Sequence, residues 1–419
     1  MQKRQKDKEK YTWVKSLVVI LCVSMLSGCS RMEDAGEAVE GACPQESTAE
    51  IVTVEEEGSA TGIATATELA TTESIPVTEY ASEMESLPSK EPLPPANPYD
   101  FTICFAGDIN LDENWCTTQF LNQQENGIYD CISPELIEHM NEVDIMCLNN
   151  EFTYSTGGAP LEGKLYTFRA NPERVEVLKQ MGVDVVKLAN NHVYDYGKQA
   201  LLDTFETLEN AGIEYVGAGR NLEEAMEPVY MELDGKTVAF VAASRAEKYK
   251  MTPQATDEKP GILRCYDTQL FIETIKEADT NADFVLAYVH WGTEYSYDLE
   301  EVQLTTGKEY LDAGADAIIG AHSHCLQGME YYDGKPIIYS LGNYWFNEKT
   351  LDTMLLDLHF YGDDEEQYLD VEVIPAVQSG YRTQIACEES EKERIYQFLE
   401  DISVNVEIDS AGKVILNEE

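Results

Sequence analysis

Positive charge is scarce in this chain. Its 419 residues hold 29 Lys and Arg against 78 Asp and Glu, a formal net charge of -49. Such a chain is repelled by nucleic acid and by anionic lipid surfaces, which excludes nucleic-acid binding as a role. Long apolar runs are missing as well. The stretch over residues 16–26 (SLVVILCVSML) falls well short of the ~20 residues that a helix needs to span a bilayer. The ten cysteines form no CxxC pair and no tight spacing, so no disulfide can be assigned from the sequence. Internal repeats are absent, which argues against a solenoid. Histidine is rare, with six in the chain.

The N-terminal region is present but reads as no part of a fold. Residues 1–15 are rich in Lys and Arg, residues 16–26 are apolar, and Leu26-Ser27-Gly28-Cys29 follows. Small residues directly before a cysteine match the bacterial lipoprotein signal pattern. Residues 1–29 are therefore expected to be a signal peptide, with Cys29 as the lipidated N-terminus after cleavage. That places the body on the extracytoplasmic face of the cell membrane, anchored by lipid. Residues 30–98 are acidic and rich in Thr, Ser and Pro. They carry too little apolar surface to offset ordering entropy, so they read as a disordered linker. A folded domain is expected over 99–375, with a C-terminal helix and tail over 376–419 packing on it.

Hydrophobic residues make up 43% of the chain, enough for a sizeable core. Compact apolar runs predict strands at 101–106, 144–148, 183–189, 213–217, 283–289 and 316–319. Helices are predicted over 172–181, with Asn171 as N-cap and Pro172 at the first position, and over 197–211 and 300–313. Gly182, Gly212 and Gly314 close them. Asp234-Gly235 between apolar runs signals a hairpin. Residues 336–341, 354–360 and 368–374 read as antiparallel strands, and 390–401 as a helix. Strand–helix alternation followed by a β-rich part indicates a layered α/β domain with mixed β-sheets flanked by helices.

Four of the six histidines fall in three stretches, each after an apolar run: Leu188-Ala-Asn-Asn-His-Val-Tyr-Asp195, Val289-His290-Trp-Gly292 and Gly320-Ala-His322-Ser-His324. Open α/β sheets bind ligands at such strand ends. Gly107-Asp108-Ile-Asn110 and Asn149-Asn-Glu151 occupy equivalent places, and carboxylates there suit a divalent cation, with Glu151 able to bridge two. Asn190-Asn191-His192 adds amide oxygen and imidazole donors, and Asp195 can orient His192. His322 and His324 would point to one side of an extended chain. Cys325 reads as structural. Lys164, Arg169, Lys187 and Arg245 are the cations that could line an anion groove.

This order of Asp, Glu, Asn-His, His and His-x-His resembles the calcineurin-like metallophosphoesterases. More closely, the chain resembles the CapA family of poly-gamma-glutamate capsule synthesis proteins. The resemblance is carried by Phe105-Ala-Gly-Asp-Ile109, Leu188–Gly197, His290-Trp-Gly-Thr-Glu-Tyr295, Ala313–Gly320 and Tyr339-Ser-Leu-Gly-Asn343. It implies a metallophosphatase-like α/β sandwich and a divalent metal ion (Mn, Zn, Fe or Mg). The implied ligands are Asp108, Glu151, Asn191, His290, His322 and His324. His192 would be the general acid with Asp195 behind it, and Asn110, Trp291, Glu294 and Asn343 would face the substrate. The implied partners are an anionic capsule polymer and membrane-bound polymer synthesis proteins. The implied role is synthesis, export or anchoring of that polymer through a metal-dependent hydrolase-type site. The alternative is a non-catalytic assembly scaffold or polymer-binding lipoprotein. The chain departs from the phosphoesterase pattern at Asn110, where a histidine is usual, and at Asn150-Glu151, where Gly-Asp is usual. The Gly320–His324 segment lacks one histidine and the proline of the family's Gly-His-His-Pro-His.

Overall fold

The computed structural model describes residues 98–246 and 251–417. The expected signal peptide, Cys29 and almost all of the linker lie outside the described residues.

Two mixed sheets face each other. The first has ten strands, and its main path runs Val406–Ile408, Lys413–Leu416, Gln367–Ser379, Leu351–Gly362, Tyr99–Ile109, Ile145–Asn150, Val185–Lys187, Glu214–Val216. The second has six: Leu326–Tyr332, Lys335–Leu341, Ala317–Ala321, Phe284–His290, Lys236–Ser244, Val229–Leu233. Side-chain alternation explains the layering. In the first strand, Tyr99, Phe101, Ile103 and Phe105 point between the sheets, while Cys104 and Ala106 point outward. The inner residues meet Phe240, Phe284, Leu286, Tyr288, Ile319 and Ile338 of the second sheet. The outer face of the first sheet is covered by helices Pro134–Glu142, Val175–Gln180 and Gly197–Ala211. Helices Gln269–Asn281 and Glu301–Asp312 cover the outer face of the second. The result is a helix–sheet–sheet–helix sandwich with three apolar layers, the layered α/β architecture expected.

Several expectations are refined. The 172–181 helix is a 3-10 turn, Pro172–Arg174, continued by Val175–Gln180, and the Asn171 side chain accepts the Glu173 N–H as an N-cap. The strand expected over 183–189 shrinks to Val185–Lys187, because the chain must leave the sheet early to deliver Asn190–His192. The hairpin is present, with Asp234 and Gly235 at φ 48° and 84°. The 336–341 strand does not join the 354–374 pair. It sits in the second sheet, beside Leu326–Tyr332, a strand not anticipated. The C-terminal helix Glu389–Asp401 buries Ile395, Tyr396 and Leu399, and Val406–Ile408 and Lys413–Leu416 extend the first sheet. Among the described residues, no helix is long and apolar enough to cross a membrane.

Candidate metal centre

The parallel strands of both sheets end at one rim, and the polar strand ends meet there. Gly107 makes the first ending possible. A Cβ at this position would lie 2.0 Å from the Gly342 carbonyl oxygen, so only glycine lets the Asn343–Trp345 strand run alongside. A register shift at Gly107 bulges the strand and sets Asp108 opposite Asn149.

Asn149 then orients two carboxylates. Its Nδ2 donates to Asp108 Oδ1 at 2.6 Å and to Glu151 Oε2 at 3.0 Å. The other oxygens, Asp108 Oδ2 and Glu151 Oε1, are buried without a hydrogen-bond partner. An unpaired buried polar atom costs ~1–3 kcal/mol, more for a charged group, so two of them side by side call for a ligand. Three imidazoles surround them. Glu151 Oε1 lies 3.7 Å from His290 Nε2 and 3.9 Å from His324 Nε2. Asp108 Oδ2 is 3.3 Å from His324 Nδ1. His322 Nδ1 is also buried and unpartnered. Two triads follow, Glu151–His290–His322 and Asp108–Glu151–His324, each with one donor atom per residue within 4.8 Å of the others. Glu151 is common to both. Carboxylate and imidazole donors together fit a divalent ion of the Mn, Fe, Zn or Mg class.

The surrounding shell is well determined. The Asn190 Nδ2 donates to Asn149 Oδ1, and its Oδ1 accepts the His192 N–H at 3.0 Å. His290 is held on both sides, Nε2 against Asn191 Oδ1 at 2.8 Å and Nδ1 against Lys187 Nζ at 2.9 Å. His192 Nδ1 meets Asp195 Oδ2 at 2.7 Å, and its ring packs on Phe168 at 4.4 Å. Lys164 Nζ ion-pairs with Asp195 Oδ1 at 2.7 Å.

Electrostatics separate these groups. Burial opposes charge on Asp108, yet the close His324 imidazole holds its carboxyl below the usual value. Burial, then the Asp108 charge, pushes Glu151 well above the usual carboxylate range. Burial alone would lower His324, but Glu151 and Asp108 outweigh it and raise the imidazole to about 10. His322 drops to about 3 through burial and the His324 charge. His290 falls well below its ordinary value through burial and the nearby Lys187. Burial also depresses His192, against the pull of Asp195. The rim thus favours charge on Asp108 and His324 and opposes it on Glu151, His290, His322 and His192.

The bacterial capsule synthesis family PGA_cap matches residues 102–348, more than half of the chain and nearly all of this rim. The chain belongs to that family. Within PGA_cap proteins, it is 35% identical over 214 residues to the PGA biosynthesis protein CapA of Bacillus subtilis, covering 50% of this chain and 55% of that protein. It is 36% identical over 208 residues to the capsule biosynthesis protein CapA of Bacillus anthracis, covering 48% and 50%. The chain thus spans about half the length of the curated relatives it matches. Among solved structures, the NAD nucleotidase of Haemophilus influenzae is similar at 11% identity and a TM-score of 0.39, over 73% of this chain and 64% of that one.

In this PGA_cap domain the rim gathers Asp108, Glu151, Asn191, His192, Asp195, His290, His322 and His324. Asn343 is with them, its Oδ1 2.8 Å from His324 Nδ1. Asn110 is fully buried, its Oδ1 accepting the Asp112 N–H, so it braces the loop after Asp108. Glu294 is exposed near the rim. Trp291 is a correction to the expected substrate contacts. It turns into the core outside the second sheet, stacked on Tyr310, with Nε1–H donated to the Tyr339 carbonyl at 2.9 Å. The reason is alternation: His290 faces the rim, so its neighbour must face away. The extended geometry expected at His322 and His324 is also corrected. The strand stops at Ala321, and both histidines have positive φ, 100° and 55°. A tight left-handed bend, not a β-strand, turns both rings inward. No anion groove forms from the four cations. Lys187 is buried at the rim, Lys164 holds Asp195, Arg169 donates to the Gly157 carbonyl and Arg245 to that of Tyr266. Cys325 belongs to neither triad. Asn149 and Asn190 were not foreseen as orienting groups. Their only sequence signal is amide residues next to the expected ligands.

Proposed function

We propose that this chain is a surface-anchored capsule-synthesis protein whose rim holds one or two divalent metal ions and hydrolyses or transfers a phosphoester, ester or amide bond during assembly of an anionic polymer. The observation that supports this most is the pair of bare carboxylate oxygens, Asp108 Oδ2 and Glu151 Oε1, facing His290, His322 and His324. Asp108, Glu151, Asn191, His290, His322 and His324 would hold the metal. When bound, it would polarise an oxygen of the substrate and lower the pKa of a water toward neutrality.

The chain's own residues would supply the rest. His192 Nε2 lies 4.0 Å from Glu151 Oε1, so this ring edge faces the centre. Asp195 fixes the opposite nitrogen and the Phe168 ring fixes the plane, leaving Nε2 placed to take a proton from the attacking water and pass it to a leaving group. Access would be from the imidazole side. Asn191, His192, His322 and His324 keep 6–7% exposure, whereas Asp108, Glu151 and His290 keep none. The setting is taken from the relatives' names, capsule and PGA biosynthesis, and from the lipoprotein-type Leu26–Cys29 segment.

This tight closure also favours a second reading, a metal-stabilised assembly scaffold, because structural sites are closed while catalytic ones keep an open position. Metal analysis of the full chain, beside Asp108→Ala and His322→Ala, separates the outcomes. Stoichiometric metal that is reduced or lost in both variants supports the centre, and a phosphoester and γ-glutamyl amide screen follows. A metal-replete protein that binds none would sink the hydrolase reading. Bound metal without turnover of any substrate would favour the scaffold.

A further inference from the structure

A second constellation of metal-ligand type lies away from this rim, on the outer face of the first sheet. Cys104 and Asp357 are direct cross-strand partners, and Glu372 is the partner of Asp357 on the next strand. The three side chains therefore form one row on the face that helix Pro134–Glu142 covers. His139 of that helix reaches the row, with Nε2 2.9 Å from Asp357 Oδ2. Cys104 Sγ, a His139 nitrogen and an Asp357 oxygen all lie within 4.8 Å of one another.

A simple helix–sheet clip would need only His139 and Asp357. Two observations exceed it. Asp357 Oδ1 is buried without a partner, in a residue only 7% exposed. A thiol stands directly opposite it in the strand register. The gap also has an outlet, since His139 keeps 33% side-chain exposure and Glu372 is exposed beside it. In tetrahedral zinc sites the donor atoms stand roughly 3.2–3.8 Å apart, so the His139–Asp357 pair, at 2.9 Å, needs to open by only about half an ångström.

We propose that Cys104, His139 and Asp357 form a binding site for a thiophilic divalent cation of the zinc class, with Glu372 or water as the fourth ligand. Sulfur, nitrogen and oxygen together select such an ion over Mg and Ca. Burial and the Asp357 charge keep the free thiol protonated, so the cation binds by displacing one proton from Cys104 into solvent. A filled site would pin the helix to the same strand that carries Asp108 four residues further on. This inference does not depend on the rim being catalytic.

Cobalt(II) titration of the reduced, metal-free full chain tests it, because the rim triads contain no cysteine. Cobalt added to saturation should bring thiolate-to-cobalt charge-transfer absorption, complete at one equivalent in Glu151→Gln, which lacks the carboxylate common to both rim triads. That absorption should vanish in Cys104→Ser and in His139→Asn, and it should remain in Glu151→Gln. Asp357→Asn should weaken cobalt binding roughly tenfold or more. Zinc should displace the cobalt and erase the band. Two results overturn the proposal: no thiolate band in the wild type, or a band that survives Cys104→Ser and so belongs to another cysteine such as Cys325. If Cys104→Ser does not fold, the partly exposed His139→Asn variant decides alone.

Discussion

The two sheets bring different chemistry to their common rim. The ten-stranded sheet ends in oxygen donors: Asp108, Glu151 and the Asn191 amide. The six-stranded sheet ends in imidazoles: His290, His322 and His324. Neither edge alone makes a mixed nitrogen and oxygen site. The set exists only when the sheets are packed, and that packing is fixed by the apolar layer between them. Phe105 meets Tyr288 edge-on at 5.7 Å, and the Tyr288 hydroxyl donates to the Ala106 carbonyl at 3.0 Å. The centre is therefore a product of tertiary structure, and its donors lie on segments separated by more than two hundred residues.

The sharpest test of this division is the group both triads share. Glu151→Gln should abolish metal binding at both positions, whereas Asp108→Asn should spare the Glu151–His290–His322 triad; metal-to-protein ratios by elemental analysis would distinguish the two. If Asp108→Asn removes all the metal that Glu151→Gln removes, the two triads are one site. His192 sits on the oxygen side and belongs to neither triad. His192→Gln should keep full metal content and lower turnover of any accepted substrate by ~10²–10⁴-fold. Loss of metal in that variant would make His192 a ligand. Asn149→Leu should weaken metal affinity ~10–100-fold by releasing both carboxylates, read by competition with a chelator. An unchanged affinity would mean the strand ends alone fix them.

The smallest effect is electrostatic and comes from a pair outside both triads. Arg174 forks onto Glu113 at 2.9 Å and holds its carboxyl below the usual value. A depressed carboxyl contributes stability above the unfolded pKa, near 4.5, and loses it as pH falls through the lower folded value. The pair is partly exposed, so Arg174→Ala should cost no more than ~0.5 kcal/mol at pH 7. In denaturant titrations that difference should fade at acid pH.

The same contrast between regions explains what could be read in the sequence. Apolar runs announced both sheets, because a strand buried on two faces must be apolar throughout, as 284–289 and Ala317–Ala321 are. The ligand residues were legible because polar residues at the end of such runs have no packing purpose. What stayed hidden is set by partners distant in the chain. Helix Pro134–Glu142 carries few apolar residues, buries Leu136, Ile137 and Met140, and was not anticipated. Trp291 sits in a motif yet serves the core. The row of Cys104, His139 and Asp357 has no sequence spacing to betray it, since strand pairing and the packing of a helix on the sheet bring it together.

The left-handed backbone at His322 and His324 has a further consequence. At φ 100°, His322 occupies a conformation that glycine takes freely and histidine resists. Selection for thermal stability alone would therefore favour His322→Gly and erase a donor of the Glu151–His290–His322 triad. A histidine in that place is a trade of resilience for ligand chemistry, and a library sorted first for melting temperature and then for metal would show where the two demands part.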